Sequence, residues 1–307
     1  MNHKIEFKAM GCRMIALVES ENEPELLQLV PIWFEEWEQC LSRFRPTSEL
    51  NRLNQSAGWP VQVSETLWQV FQIALEAEKR SSGLVTPTVL RALTAAGYDR
   101  SFESLPRQLE SAPGGGWPTA GTLAEVSWDA ATRSICLPLD VQLDFGGVAK
   151  GWAAHQAAKR LAGAGAALVS AGGDIAISAE PSPGNLWPVG VDDPFHPGEQ
   201  LEVLMLGRGG VATSGTDYRR WLQGGRWNHH IIDPRTGLPA QTDVFAATVV
   251  APDAMTAEMA AKVALLLGSA RAMTWLDAQP ALAGLLVLEN GEQLSTNRME
   301  QFLWRPS

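Results

Sequence analysis

The clearest structural signal in the 307-residue chain is Val141-Gln-Leu-Asp-Phe-Gly-Gly-Val-Ala-Lys-Gly-Trp-Ala-Ala-His-Gln-Ala-Ala-Lys-Arg-Leu161. Its apolar start, at 141–144, predicts a strand, and its alanine-rich end predicts a helix. Gly146 and Gly147 then occupy the turn between strand and helix. At such a turn the first backbone N–H groups of the helix are unpaired, and the helix dipole favours an anion.

Lys150 follows this turn and lies in the first turn of the predicted helix, where the dipole disfavours a cation. A phosphate bound at Gly146 and Gly147 would resolve this conflict, so the stretch predicts a phosphate site that includes Lys150. The alternative is that Lys150 points into water and the glycines allow close packing. Glycine-rich turns are common, and this motif alone leaves both interpretations open.

Composition excludes several classes of function. The formal net charge is −10 and no Lys/Arg cluster is present, which argues against a nucleic-acid partner. With 45% hydrophobic and 19% charged residues the chain is typical of a globular protein, and no apolar run is long enough for a transmembrane segment. Three widely spaced cysteines argue against a disulfide framework and a zinc site. No export signal is recognisable, so we expect a cytoplasmic protein.

The order of predicted elements indicates a mixed α+β fold, because helices and strands alternate too irregularly for a doubly wound sheet. Apolar spacing predicts a helix up to Leu41 and another that begins at the Ser64 cap and ends before Gly83. A polar connection joins them. Further helices are predicted at 256–267 and up to Asp277, and strands at 4–17 (interrupted at Gly11), 125–128, 134–137, 166–170, 201–206, 246–250 and 284–288. The Pro/Gly-rich loop at 111–119 is expected to separate an N-terminal layer from the rest.

Two polar segments in the second half are candidates for a site. The run from Thr213 to Arg220 combines four hydroxyls with two guanidiniums, and is interpreted either as a ligand cradle or as a solvent-facing loop. His229 and His230 precede a short apolar strand, where alternation places only one imidazole on each face. Ser214 as a nucleophile with His230 as its base is disfavoured, because Gly-x-Ser-x-Gly is absent and no oxyanion-hole loop can be named.

A set of short motifs extends from residue 10 to about residue 268. The set is Met10-Gly11, Phe44-Arg-Pro-Thr-Ser-Glu-Leu-Asn-Arg-Leu-Asn54, Pro87-Thr-Val, Gly97-Tyr-Asp, Asp144-Phe-Gly-Gly-Val-Ala-Lys-Gly151, Ala171-Gly-Gly-Asp174, Ala212-Thr-Ser-Gly215, Tyr218-Arg-Arg220 and His230-Ile-Ile-Asp-Pro-Arg-Thr-Gly237. In this order the motifs resemble the ApbE family, the FAD:protein FMN transferases. The resemblance implies one mixed α/β domain over 1–307. It also implies cleavage of the FAD pyrophosphate, attachment of FMN by a phosphoester to a threonine or serine of a target flavoprotein, and release of AMP.

The resemblance also implies where the flavin nucleotide binds. It places FAD between the turn at 144–151, the turn at 171–174 and the histidine strand. The positions that match FAD-contacting residues of the family are Met10, Phe44, Thr86, Asp144, Lys150 and His230. Neighbouring positions in the same motifs complete the candidate cofactor-binding set: Gly146, Gly147, Gly172, Gly173, Asp174, Thr213 and Ser214.

The chain departs from the family at the magnesium site. The family holds Mg²⁺ through a carbonyl of the glycine turn and an Ala-Asp-x-x-x-Thr motif, so Gly147 and Glu258 are the corresponding metal-ligand candidates. Here the motif reads Ala257-Glu-Met-Ala-Ala-Lys262. Mg²⁺ requires oxygen ligands, whereas the ammonium of Lys262 supplies none and repels the ion, so we expect that the usual site is not intact.

Two interpretations of Lys262 remain open. In the first interpretation, Lys262 substitutes for the metal ion, because fixed cations can also neutralise pyrophosphate oxygens. Glu258 and His230 are then the other catalytic candidates. Alternatively, Glu258 and Lys262 form a surface ion pair, four residues apart on a helix, that contributes about 0.2–0.5 kcal/mol.

Two other functions would use the same nucleotide. One is a protein that binds FAD without transferring FMN, because the metal ligands are altered. The other is an FAD pyrophosphatase, in which water is the nucleophile and FMN and AMP are the products. All three functions predict bound FAD and differ only in the fate of the nucleotide.

Overall fold

The computed structural model describes residues 1–109 and 117–305. Most of the predicted loop at 111–119 therefore lies outside the described residues. By their internal contacts the residues divide into two compact units. Unit 1 comprises Met1–Phe34, Lys150–Gly215 and Thr242–Ser307, and unit 2 comprises Glu35–Ala149 and Thr216–Gln241. The single domain expected over 1–307 stays a prediction.

Helices and short strands make up both units. The α-helices are α1 (Glu25–Leu41), α2 (Glu49–Gln55), α3 (Glu65–Arg80), α4 (Leu90–Ala95), α5 (Ala149–Leu161), α6 (Ala254–Leu267) and α7 (Ser269–Asp277), with 3-10 turns at Pro87–Val89, Phe102–Ser104, Leu123–Glu125 and Met299–Gln301. The strands of the first half are β1 (Asn2–Ala9), β2 (Cys12–Glu19), β3 (Val61–Gln62), β4 (Gln108–Leu109), β5 (Ser127–Asp129) and β6 (Ser134–Cys136). Those of the second half are β7 (Ala166–Ala171), β8 (Asp174–Ile177), β9 (Trp187–Asp192), β10 (Gln200–Leu206), β11 (Gly209–Gly215), β12 (Arg220–Gln223), β13 (Arg226–His229), β14 (Ile232–Asp233), β15 (Leu238–Pro239), β16 (Val244–Ala251), β17 (Ala283–Leu288) and β18 (Gln293–Ser295).

Unit 1 is built on an eight-stranded sheet with the order β1-β2-β7-β8-β11-β16-β17-β18. Every neighbouring pair in this sheet is antiparallel. Helix α6 packs on β11 and β16, and α7 packs on β17. Nearly every position of α6 is buried, including Glu258, so the helix carries a charged side chain into the interior of the unit.

Two tight turns lie next to each other at one end of this sheet. Met10 and Gly11 join β1 to β2, and Gly172 and Gly173 join β7 to β8. All four residues have positive φ, as a two-residue hairpin turn with a right-handed strand twist requires. The turns are adjacent because β2 pairs with β7, and the second turn places Asp174 at the first position of β8.

Unit 2 contains α2, α3, α4 and three small sheets. One of its hydrophobic clusters surrounds Trp221, whose side chain is fully buried and whose indole N–H donates to the carbonyl of Ala96 at 2.8 Å. Helix α3 begins where the sequence predicts: the Ser64 hydroxyl accepts the Leu67 N–H at 3.3 Å.

Two local predictions were wrong, one for the stretch before the glycine turn and one for the polar connection after Leu41. The stretch 141–144 is not a strand. Instead, the side chain of Asn54 pairs with both the N–H and the carbonyl of Leu143, at 2.8 and 2.9 Å, in the way a neighbouring strand would. Asn54 belongs to α2, which lies inside the segment predicted to be only a polar connection and is capped by Ser48. The side chain of Asn54, distant in sequence, therefore provides the backbone hydrogen bonds that a neighbouring strand would have provided.

None of the helices within residues 1–109 and 117–305 combines the length and the apolar character needed to cross a membrane.

Candidate functional site

Four charged side chains of unit 1 form a buried ion cluster, which consists of Lys150, Asp174, Glu258 and Lys262. The Lys150 ammonium is paired with Asp174 Oδ2 and lies 3.3 Å from Glu258 Oε1. The Lys262 ammonium lies 3.1 Å from the same Glu258 oxygen. The carboxylates are only 2% and 1% exposed at Asp174 and Glu258, whereas the lysine side chains are 18% and 16% exposed. The two carboxylate side chains are thus more deeply buried than the two lysine side chains.

A close crossing of α5 and α6 positions this cluster. The backbone N–H of Gly151, in the first turn of α5, donates to Glu258 Oε2 at 2.9 Å. A Cβ atom at Gly151 would lie 2.8 Å from the carbonyl oxygen of Ala254 and 2.9 Å from Glu258 Oε2. Both distances are shorter than real Cβ contacts, so only glycine allows the helices to approach this closely.

The charges of the cluster shift the pKa values of its members in different directions. Burial raises the pKa of Glu258, but Lys262, Lys150 and the Gly151 N–H outweigh burial and lower it to about 2. Burial likewise raises the pKa of Asp174, to about 6, because Lys150 compensates only in part and the Glu258 charge is nearby. Burial would lower the pKa of Lys150, yet the two carboxylates keep it above its ordinary value. The Glu258 carboxylate therefore remains charged at neutral pH.

The structure confirms the predicted place of Lys150 in the first turn of a helix, but it changes the explanation of how its charge is balanced there. Lys150 does lie in the first turn of its helix. Its charge at the helix N-terminus is balanced by Asp174 and Glu258, so the dipole conflict does not by itself require a bound phosphate. The interpretation of Glu258 and Lys262 as a surface ion pair was wrong, because the Glu258 carboxylate is almost completely buried.

The residues expected to hold Mg²⁺ do not fit that ion. Glu258 Oε1 already accepts from two ammonium groups, and Glu258 Oε2 accepts the Gly151 N–H. A magnesium ion needs near-octahedral oxygen ligands at about 2.0–2.1 Å. In the part of the chain that the structure describes, no group of three or more His, Cys, Asp or Glu side chains is arranged to hold a metal ion.

Unit 2 contributes a second group of predicted site residues around Asp144. The Gly146 N–H, for which a bound phosphate was one of two open interpretations, donates to Asp144 Oδ1 at 2.6 Å. Arg43 Nε lies 2.5 Å from Asp144 Oδ2, and both side chains are nearly buried, at 6% and 11% exposure. The Arg43 guanidinium also lies over the rings of Phe44, at 4.1 Å, and Tyr98, at 4.6 Å.

Sequence reasoning missed Arg43. It stands next to Phe44 in a motif that was identified, but its partner Asp144 is about a hundred residues away, and no local pattern joins them. Phe44 itself is 39% exposed, so part of its ring remains available to a planar ligand while Arg43 covers the rest.

The remaining unit 2 candidates lie in structured turns. The Thr86 hydroxyl lies 2.8 Å from that of Thr88 and caps the 3-10 turn at Pro87–Val89. The Asp144 N–H donates to the carbonyl of Pro87 at 2.8 Å, so the segments that contain Thr86 and Asp144 are held side by side.

The two histidines have different environments. His229 Nε2 lies 3.0 Å from the carbonyl of Ala240, and the Ile231 N–H donates to His229 Nδ1 at 3.3 Å. These contacts specify the neutral Nε2–H tautomer, and burial lowers the pKa of His229 accordingly. Both ring nitrogens of His229 are therefore engaged by the backbone.

The hydroxyl-rich segment begins inside a strand rather than after it. Thr213 and Ser214 belong to β11, where alternation leaves Thr213 exposed and Ser214 6% exposed. The Thr213 hydroxyl lies 2.8 Å from that of Thr248 on the paired strand β16. A role for Ser214 in binding a nucleotide stays a prediction.

The two hairpin turns of unit 1, at Met10-Gly11 and Gly172-Gly173, lie at the end of the sheet that carries Asp174, the partner of Lys150. A Cβ atom at Gly172 would meet Cys12 Sγ at 2.8 Å, so the hairpin turns at Met10 and Gly172 pack tightly together. Asp174, which directly follows the Gly172 turn, pairs with Lys150. The structure therefore brings the Met10 and Gly172 turns, Asp174, Lys150, Glu258 and Lys262 together within unit 1, and Phe44, Thr86 and Asp144 together within unit 2.

Comparison with known proteins gives consistent matches. The model of the ApbE family matches residues 10–286. A protein of Treponema pallidum named FAD:protein FMN transferase is 30% identical over 265 residues, which cover 81% of this chain and 73% of that protein. A protein of Haemophilus influenzae with the same name is 29% identical over 243 residues, covering 76% and 70% of the two chains.

Solved structures with the same fold include two proteins named ApbE. The crystal structure of the ApbE protein from Thermotoga maritima has a TM-score of 0.87 at 24% identity, and the alignment covers 99% of this chain and 100% of that one. The flavin transferase ApbE from Vibrio cholerae has a TM-score of 0.79 at 22% identity, with 99% of each chain covered. These likenesses confirm the predicted mixed α/β fold.

Proposed function

The chain belongs to the ApbE family, and we propose that it is an FAD:protein FMN transferase. The observation that carries the proposal is the match of the family over residues 10–286, together with relatives of that name at up to 30% identity. In the proposed reaction FMN is transferred from FAD to a threonine or serine hydroxyl of a target flavoprotein, and AMP is released.

We assign the diphosphate of FAD to the ammonium groups of unit 1. Lys150 and Lys262 are the cations of this unit whose charges are held in place by buried carboxylates. Preorganised cations of this kind stabilise the charge that develops on phosphoryl oxygens and need no reorganisation during the reaction. Met10, Gly172 and Gly173 form the adjacent turns and present backbone to the nucleotide.

Phe44, Thr86 and His230 are further candidates for contact with FAD, as the family resemblance implies. The partly exposed Phe44 ring is suited to stack on a planar heterocycle, and Arg43 and Asp144 hold that segment in place. Of the two histidines, His230 is assigned as the general base, because it is the one that matches a FAD-contacting position of the family. Thr86, and Thr213 on β11 of unit 1, are the hydroxyl candidates for contact with the ligand.

The proposed step is an in-line displacement at the phosphorus on the FMN side of FAD. The acceptor hydroxyl oxygen forms the new P–O bond, its proton passes to His230, and the bond from this phosphorus to the bridging oxygen breaks. The bridging oxygen leaves with the electron pair as part of AMP. In this step the protein orients the hydroxyl and neutralises charge on the phosphates.

The test is to incubate the purified protein with FAD and a threonine-containing flavoprotein domain, and to analyse the products by mass spectrometry. We expect the acceptor mass to increase by the mass of FMN less one water, with AMP formed in equal amount. Intact FAD throughout identifies a binding protein, and free FMN with AMP but no adduct identifies a pyrophosphatase; either result contradicts the proposal. A threonine-to-valine acceptor serves as the matched control and should remain unmodified.

A further inference from the structure

We infer that two lysine ammonium groups, those of Lys150 and Lys262, bind the diphosphate of the nucleotide in place of a divalent metal ion. Glu258 is the positioning residue that holds both ammonium groups. This inference rests on the proposed function for the identity of the ligand, but the exclusion of a metal ion depends only on the residues of the buried ion cluster.

The first argument is the occupancy of the Glu258 carboxylate. Lys150 Nζ and Lys262 Nζ lie 3.3 and 3.1 Å from the same oxygen, Oε1. A carboxylate oxygen accepts two such bonds, one for each lone pair, so Oε1 has no lone pair left. The second oxygen faces the Gly151 N–H at 2.9 Å. A metal ion can coordinate Glu258 Oε1 only if it displaces an ammonium group, and it would then lie beside that same positive charge.

The second argument is the charge balance of the cluster. Two ammonium groups and two carboxylates sum to zero, so the cluster is electrically balanced without an added cation. A divalent ion would bring two more positive charges to a buried group in which both carboxylates are already paired. Buried charges are costly unless each is paired, and the cluster meets this condition only as it stands.

The third argument is the number of donors that remain for a ligand. Each ammonium has three N–H donors. Lys150 uses two of them, on Asp174 and Glu258, and Lys262 uses one, on Glu258. The donors that remain belong to the more exposed side chains of the cluster, at 18% and 16%, while the carboxylates beneath are shielded. This arrangement suits the oxygens of a diphosphate, which accept hydrogen bonds from fixed cations and carry negative charge.

The metal dependence of the protein provides the first test. Mg²⁺ alone is titrated into the full chain by calorimetry, and the melting temperature is recorded with Mg²⁺ and with EDTA. We expect no binding heat and no change in melting temperature. FAD binding, followed by tryptophan fluorescence, and FMN transfer should be the same within about two-fold in both conditions. Saturable Mg²⁺ binding, or transfer that stops in EDTA and returns with Mg²⁺, would overturn the inference.

Substitution of Lys262 provides the second test. Lys262→Met keeps an unbranched side chain without the charge, and should weaken FAD binding at least about ten-fold, the loss expected for one charge-assisted hydrogen bond. Lys262→Arg keeps a cation and should restore part of the affinity. The matched control is Lys159→Met on the exposed end of α5, which should bind FAD as the unmodified chain does. Circular dichroism checks that each variant is folded. Wild-type FAD affinity in folded Lys262→Met would contradict the inference.

These tests separate the inference from the proposed function. If FMN transfer requires Mg²⁺, the inference fails and the function stands. If no acceptor is modified in either condition, the function fails, while the calorimetry, the melting temperatures and the Lys262 variants still decide whether lysines replace the metal ion.

Discussion

Glu258→Gln is the change that most directly tests the buried ion cluster. The substitution keeps the length and shape of the side chain but replaces one carboxylate oxygen by an NH₂ group. In either orientation this NH₂ group faces a donor: the Gly151 N–H at the Oε2 position, or the ammonium groups of Lys150 and Lys262 at the Oε1 position. The variant thus loses one charge, gains a contact between two donors, and leaves two ammonium groups with a single buried carboxylate.

The expected loss of stability is large. Breaking a buried ion pair by removing one partner costs about 3–5 kcal/mol, because the remaining charge is left uncompensated. With about 2.1 cal/mol/K of unfolding entropy per residue, each kcal/mol corresponds to about 1.5 °C in the melting temperature of a 307-residue chain, so we expect a decrease of about 5 °C or more. The assay is thermal and urea unfolding of the wild type and the variant, followed by circular dichroism at neutral pH.

Glu65→Gln is the matched control. Glu65 also pairs with a cation, Arg133, at 2.5 Å, but the two side chains are 59% and 43% exposed. Exposed pairs contribute at most about 1 kcal/mol, so this variant should unfold close to the wild type. If Glu258→Gln is no more destabilised than Glu65→Gln, the cluster does not depend on the Glu258 charge and the reasoning above is refuted.

Two further predictions concern unit 2. Burial lowers the pKa of His229 in the folded state, so protonation of this histidine favours the unfolded state. The free energy of unfolding should therefore fall as the pH drops below about 6.5, the pKa of histidine in the unfolded chain. Between about pH 7.5 and about pH 5.5, the melting temperature of His229→Gln should decrease less than that of the wild type. An equal decrease in both proteins would show that His229 does not cause the loss of stability. Arg43→Gln should lower the free energy of unfolding by about 3 kcal/mol, since it leaves Asp144 nearly buried without its cation; unchanged urea unfolding would contradict this.

Local signals in the sequence determined many of the elements. The Ser64 cap and the apolar stripe behind it predict α3, and the alanine-rich run after Gly147 predicts α5. The same local signals identify Gly11 as an interruption in the first strand, where the structure has a hairpin turn. These predictions succeed because capping, turn conformation and helical periodicity depend on residues a few positions apart.

The motif order determined the family and most of the candidate residues, but not their contacts. The replacement of oxygen ligands by Glu258 and Lys262 was readable from the chain. That Glu258 is almost completely buried was not, because the same spacing of glutamate and lysine occurs on exposed helix faces.

Only the tertiary structure decided which charged side chains form ion pairs with each other. Lys150 pairs with Asp174 24 positions away and with Glu258 108 positions away. Arg43 meets Asp144 from a different segment of unit 2. The pairings of Lys150 follow from the order of strands in the sheet of unit 1 and from the close crossing of α5 and α6 at Gly151, which are properties of the packed chain. Burial then removes water from these charges and makes their pairing obligatory, a condition that no local sequence pattern contains.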